Sequence, residues 1–273
     1  AGPSVFGVQE DGLFRQLHAQ PVGYPLLIKA VQGIVDLGLK NRNLVVGGTG
    51  LVSLVVIMDR FLVTALHDQV ASVEVVGVEE IGVGFMFAPA HHSAMKHAIG
   101  PRKEMGVRTL FNLLGPLTNP AAAPNQVLGV FSAEWLEPLA QVLGKLGSEH
   151  VLVVHADDGL DEISIASSTR VAELKAGSVH SYQVSPDQFG MKTGNVAELA
   201  VENAQESLTM INRVLDDTPG PAHDIVALNA GAAIYAGGVA DSLQAGIEVA
   251  QQAIASGAAK QKLKDLIEFS NSV

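Results

Sequence analysis

Apolar runs and helical periodicities alternate along most of the chain. Val83–Ala88 is a continuous apolar run, which reads as a buried strand ended by Pro89. Val127–Phe131 predicts a second short strand, and His150–Ala156 (HVLVVHA) a fully buried one. Between them, Leu136, Leu139, Leu143 and Leu146 recur at helical spacing, with Ser132 placed to cap and Gly147 to terminate. Arg170–Leu174 and Val179–Val184 flank Ala176-Gly177, the pattern of a hairpin. Four helices are then expected over Glu202–Asp216, Ala222–Ala236, Leu243–Ser256 and Ala258–Phe269.

Upstream the pattern is less regular. A helix is expected over Leu26–Leu37, between punctuating Pro and Gly residues. Leu44–Met58 is the most apolar stretch, but it is fifteen residues long and holds three glycines, too short for a good membrane span. It reads as strand–turn–strand, or as a strand leading into a core helix. The alternation as a whole predicts an α/β fold.

Composition sharpens this picture. Of 273 residues, 48% are apolar and 16% charged, so a sizeable core is possible and disorder is not expected. The absence of cysteine excludes disulfides, thiolate zinc sites and cysteine nucleophiles, and fits a cytoplasmic protein. A net charge of −11 argues against general nucleic-acid binding, which relies on many phosphate contacts from Lys and Arg. The first residues, AGPSVFGVQEDG, have neither a basic start nor an apolar h-region, so no secretory leader or membrane partner is expected.

Against that acidic background Lys96, Arg102, Lys103 and Arg108 form a basic island, opposed by Glu104 alone. It suits either an anionic small molecule or a solvated helix face. Residues 157–162 (DDGLDE) place four carboxylates after the His150–Ala156 strand. Mg²⁺ favours one or two carboxylates together with substrate phosphates, and α/β proteins bind ligands beyond the carboxyl ends of strands. An exposed turn is the competing reading. The glycines of LVVGGTG (44–50) expose backbone N–H groups that suit a phosphate, or simply make a tight turn. His91 and His92 are adjacent, but no third ligand stands at metal spacing. His150, His155, His180 and His223 are scattered and are expected to be structural.

The phrases FMFAPAHH, AMKH and GVRTLFNLLGPLTNPA, in that order, closely resemble the signature region of anthranilate phosphoribosyltransferases. The resemblance covers about residues 79–273, which makes 79–273 the expected catalytic α/β domain and 1–78 a region that does not match. It implies the nucleoside phosphorylase/phosphoribosyltransferase fold, with a large mixed-sheet domain flanked by helices, in a homodimeric enzyme. The implied reaction, a step of tryptophan biosynthesis, transfers phosphoribosyl from phosphoribosyl pyrophosphate to anthranilate and releases pyrophosphate. Carried over by position, Asp161 and Glu162 would bind Mg²⁺. Pro89, His92, Met95 and Arg102 would meet anthranilate, Arg102 by gripping its carboxylate. Gly115 would pack close to the acceptor, and Arg108 would be structural.

This chain departs from the family's pattern in the donor half. The family's GTGGD loop, NxST segment and KHGNR segment do not occur in residues 1–78. Gly48, Thr49 and Gly50 are the nearest substitute for the phosphate loop, without its following Asp. Two other readings stay open here: a pyrimidine nucleoside phosphorylase-like enzyme, and a catalytically impaired chain that keeps the acceptor and metal half of the site.

Overall fold

In the computed structural model the described residues are 77, 80–86, 113–114, 117 and 123–272, with strand residues 44–47 and 54–57. The expected helix over Leu26–Leu37 lies outside them. In chain order the strands are β1 (Leu44–Gly47), β2 (Leu54–Ile57), β3 (Gly84–Met86), β4 (Asn125–Gly129), β5 (His150–Ala156), β6 (Thr169–Lys175) and β7 (Ser178–Val184). The helices are α1 (Leu136–Lys145), between β4 and β5, then α2 (Ala204–Leu215), α3 (Pro221–Ala236), α4 (Leu243–Ala255) and α5 (Ala258–Ser272).

The strands form one mixed sheet in the order β3-β2-β1-β4-β5-β6-β7. Its centre, β1-β4-β5, is parallel, and antiparallel strands extend it on both sides. Within the stretch Leu44–Met58, the described residues form two paired antiparallel strands, with Gly47 opposite Leu54. Parallel central strands need cover on both faces. In β5, Val151 and Val153 pack under α1, while Leu152 and Val154 face the cluster built on α3 and α4. This explains why β5 reads as a continuous apolar run rather than an alternating one.

Two expectations about α1 are corrected. Its approach begins with a 3-10 turn over Ala133–Trp135, and Ser132 makes no capping bond to it, its hydroxyl donating to Glu134 instead. Leu136, Leu139 and Leu143 are buried as expected, but Leu146 is 62% exposed. The helix ends at Lys145, and Gly147, at φ +99°, turns the chain away before the stripe can continue. The β6–β7 hairpin turns at Ala176 and Gly177, both at positive φ, as the right-handed twist of paired strands favours.

At the amino end of β5, His150 Nε2 lies 2.8 Å from Glu173 Oε1, and the Tyr235 hydroxyl donates to the same oxygen at 2.7 Å. Burial alone would raise the Glu173 carboxyl. The hydrogen bonds from His150, Tyr235 and Tyr182 outweigh it and hold the group below its ordinary range. This network ties β5, β6, β7 and the end of α3 together on the edge away from the carboxyl ends of the central strands.

The helix α3 is buried without interruption from Ile225 to Ile234. It crosses α4 at two glycines. A Cβ on Gly231 would stand 2.4 Å from Ile247 Cγ1 and 2.6 Å from the Ile247 backbone, and one on Gly246 would stand 2.3 Å from the Gly231 carbonyl oxygen. Small residues here allow the two backbones to meet. Gly231→Ala is expected to force the helices apart and destabilise the fold by at least about 2 kcal/mol, the scale of core overpacking. Thermal unfolding checks this, and an unchanged melting temperature would show that the crossing can relax.

Candidate active site

The parallel strands β1, β4 and β5 end at the same edge of the sheet, because their registers run Leu44 with Asn125 and Asn125 with His150. A connection spanning residues 157–168 leaves β5 at this edge and returns as β6. Its first half is a surface turn. Gly159, at φ +95°, allows the reversal, and its N–H donates to the Ala156 carbonyl at 3.0 Å. The Asp158 carboxylate accepts from the Leu160 N–H at 3.1 Å and from the Ser164 hydroxyl. Asp157 accepts from Arg170 Nε at 3.1 Å and from Gln183 at 3.0 Å, across the start of β6 and the end of β7.

The second half turns inward, which corrects the view of DDGLDE as an exposed turn. Asp157 and Asp158 are exposed, whereas Asp161 and Glu162 are each only 5% exposed. Ile163 and Ile165 follow into the core beneath α3. The acidic run thus separates into two solvated carboxylates that shape the turn and two buried ones. The sequence reading missed this division. Its available signal was the apolar alternation that begins at Leu160 and continues through Ile163 and Ile165.

The Asp161 backbone lies directly against the end of β4. A Cβ on Gly129 would fall 1.6 Å from the Asp161 carbonyl oxygen, so no other residue fits at that position with this backbone. On the other side of Glu162, the Ile163 N–H donates to Asn229 Oδ1 and the Ile163 carbonyl accepts from Asn229 Nδ2, both at 2.9 Å. Asn229 was not singled out by the sequence reading. Its signal was a lone amide within the apolar run of α3.

Glu162 carries the strongest electrostatic anomaly of the site. Its Oε1 is buried without a hydrogen-bond partner. Burial, with the adjacent Asp161 charge adding to it, pushes its carboxyl up to about 8. A buried acid with an unfilled oxygen beside a second acid is a donor set that suits a cation. Among the described residues no group of three or more His, Asp or Glu side chains converges on a metal position. Two carboxylates fit Mg²⁺, which completes its shell with waters and substrate phosphates, and fit poorly an ion that needs an all-protein cage.

Of the other expected site residues, Pro89, His92, Met95 and Arg102, with Gly48, Thr49 and Gly50, lie outside the described residues, as do Arg108 and Gly115. Three of the described histidines pair with other protein groups. His150 belongs to the Glu173 network, His155 Nδ1 pairs with the Val130 carbonyl at 2.8 Å, and His223 sits between Asp217 and Asp224 at 3.2 Å from each. His180 is exposed on β7.

A raised carboxyl pKa makes a definite stability statement. In the ordinary range the unfolded chain loses the Glu162 proton near 4.5, while the folded chain keeps it to about 8. Stability from this group is therefore complete below pH 4.5 and is lost as pH rises through 8. Glu162→Gln should raise the melting temperature of metal-free protein at pH 8.5, by on the order of 4 kcal/mol in stability, and leave it nearly unchanged at pH 4.5. Equal pH dependence in the two proteins would show that Glu162 titrates normally.

The family described as "Glycosyl transferase family, a/b domain" matches residues 62–260. Anthranilate phosphoribosyltransferase of Thioalkalivibrio sulfidiphilus is 64% identical over 195 residues, covering 71% of this chain and 58% of the relative. Its counterpart in Methylococcus capsulatus is 62% identical over 193 residues, covering 71% of this chain and 57% of the relative. The chain thus spans somewhat under two thirds of the length of the curated relatives it matches. Among solved structures, anthranilate phosphoribosyltransferase from Thermus thermophilus is 36% identical, with a TM-score of 0.74, covering 90% of this chain and 73% of the other. The Saccharomyces cerevisiae protein, in complex with phosphoribosyl pyrophosphate and Mg, shares the fold at 24% identity and a TM-score of 0.70, covering 93% of this chain and 71% of the other.

Proposed function

The chain belongs to the glycosyl transferase family defined by this α/β domain, and on that premise we propose that it transfers phosphoribosyl from phosphoribosyl pyrophosphate to the amine of anthranilate, with release of pyrophosphate. The observation that carries the reading is the buried Asp161–Glu162 pair at the carboxyl edge of the parallel strands, with an oxygen of Glu162 left unpaired. The curated relatives and the Thermus structure carry the name of the same activity.

In this reaction the C1–O bond of the ribose breaks, its electron pair leaves with pyrophosphate, the lone pair of the amine forms the new C1–N bond, and the nitrogen then loses one proton to water or pyrophosphate. Neither step requires a protein nucleophile, so positioning and charge stabilisation dominate. Asp161 and Glu162 hold Mg²⁺, which when bound neutralises the charge on the departing pyrophosphate. Arg102 orients the acceptor through its carboxylate, and Pro89, His92 and Met95 shape the acceptor's channel. Gly48, Thr49 and Gly50 offer N–H groups to the phosphates. They follow β1, whose carboxyl end lies at the same edge as that of β4. The reading includes a cytoplasmic homodimer. No helix among the described residues is long and apolar enough to cross a membrane.

Three outcomes are expected. Arg102→Ala should weaken anthranilate binding by roughly 1.5–3 kcal/mol, the worth of a charged hydrogen-bond pair, and Arg102→Lys should recover only part. Unchanged acceptor affinity would remove Arg102 from the site. Asp161→Asn combined with Glu162→Gln should abolish Mg²⁺-dependent pyrophosphate binding by calorimetry, and parent-like binding would refute the metal assignment. Finally, losing one preorganised donor costs about a hundred- to a thousandfold in rate, and residues 1–78 lack the family's three donor elements. Protein of this sequence should therefore turn over anthranilate far below about 1 s⁻¹, followed by fluorescence. Faster turnover would mean that residues 44–60 supply a working phosphate loop, and turnover of thymidine instead would point to a nucleoside phosphorylase.

A further inference from the structure

Glu162 is held from both sides of its own backbone. On the amino side, the Asp161 carbonyl, part of the peptide that includes the Glu162 nitrogen, is seated where a Cβ of Gly129 would be. On the carboxyl side, the Ile163 nitrogen belongs to the peptide of the Glu162 carbonyl carbon, and its N–H is taken by Asn229 Oδ1 at 2.9 Å. Asn229 Nδ2 returns a bond to the Ile163 carbonyl at 2.9 Å, so one amide pairs with both backbone groups of a single residue. The same nitrogen donates to the Ile225 carbonyl at 2.9 Å, one turn earlier in α3, which fixes the amide's rotation within the helix.

Asn229 is 1% exposed, in a helix otherwise apolar through this region. Asparagine is a middling helix former, and a buried amide costs free energy unless its groups are paired. An apolar residue would pack here as readily if α3 served only as core. The bonds run instead across 66 residues of sequence to the residue next to Glu162. A bidentate pair of this kind sets angle as well as distance, which a hydrophobic contact cannot do.

We propose that Asn229 is a positioning residue for the cation site: through Ile163 it fixes the backbone from which Glu162 presents its carboxylate. The proposal rests on the reading of Asp161 and Glu162 as metal-holding groups. Asn229 itself touches neither the cation nor a substrate. Its effect is that of an outer partner, whose loss typically costs about 10–100-fold in metal affinity.

The test uses the full chain, with Mn²⁺ and inorganic pyrophosphate as the probe, read by electron paramagnetic resonance, and amide exchange at Ile163 read by NMR. Asn229→Leu preserves volume and removes all three bonds. It should weaken Mn²⁺ binding in the presence of pyrophosphate by about 10–100-fold. It should also strip protection from the Ile163 amide while the amides of β4–β7 keep theirs. Should that variant not fold, Asn229→Asp keeps an acceptor for the Ile163 N–H and loses both donations, and it should give partial protection and an intermediate affinity. Parent-like affinity in a folded variant, or unchanged exchange at Ile163, overturns the role of Asn229. A parent protein that binds no Mn²⁺ with pyrophosphate overturns the cation site itself, and the role of Asn229 with it.

Discussion

A helix without a solvent-facing side has to be surrounded, and the described part of this structure is arranged around one. From Ile225 to Ile234 every residue of α3 is buried, among them Asn229. One side lies on the sheet, against Leu152, Val154 and Val171, and another meets α4 at the Gly231–Gly246 crossing. Removing a helix of such side chains from water contributes of the order of 1.5–3 kcal/mol for each large one, which makes α3 the largest apolar contribution of any described helix. Because it is fixed on several sides, it can serve as the rigid element from which a polar group reaches a site. Asn229 uses that rigidity, and Glu162 depends on it.

The same constraint separates stability from chemistry. The apolar clusters place Ile163 and Ile165 beneath α3, and this draws the end of the acidic turn out of water. Left to itself, Glu162 answers by holding its proton, since burial disfavours the charged form. A cation beside Glu162 would favour the charged form that burial disfavours.

Much of this fold was legible in the sequence because periodicity reports burial directly. Strand β5 was read at its observed limits, the β6–β7 hairpin at Ala176-Gly177, and the four final helices to within about three residues at each end. The misreadings have local causes. Leu146 continues a helical stripe on paper, but the helix has already ended at Lys145. Ser132 has the chemistry of a cap, but a 3-10 turn intervenes and its hydroxyl finds Glu134. For the site, Asp161 and Glu162 were singled out by charge spacing and family resemblance, yet their burial was not, because four acids in six residues look solvated. Asn229 and Gly129 act through contacts across the sheet and helices. No window along the chain contains both partners of either contact.

The order of strands in the sheet has a kinetic meaning. Strands β5, β6 and β7 form a meander whose neighbours in space are neighbours in sequence. The β1–β2 pair, by contrast, joins the rest of the sheet by setting Leu44 beside Asn125, which closes a long loop. The half of the sheet that presents Asp161 and Glu162 is therefore expected to assemble early and locally, and the β1–β2 half to dock onto it late. Pulsed hydrogen exchange would show this as protection of β5–β7 amides ahead of those in β1. On a ribosome the asymmetry is sharper. Of the described strands β1 and β2 are made first and have each other as partners, but the pair has to wait for β4 before it can join the rest of the sheet.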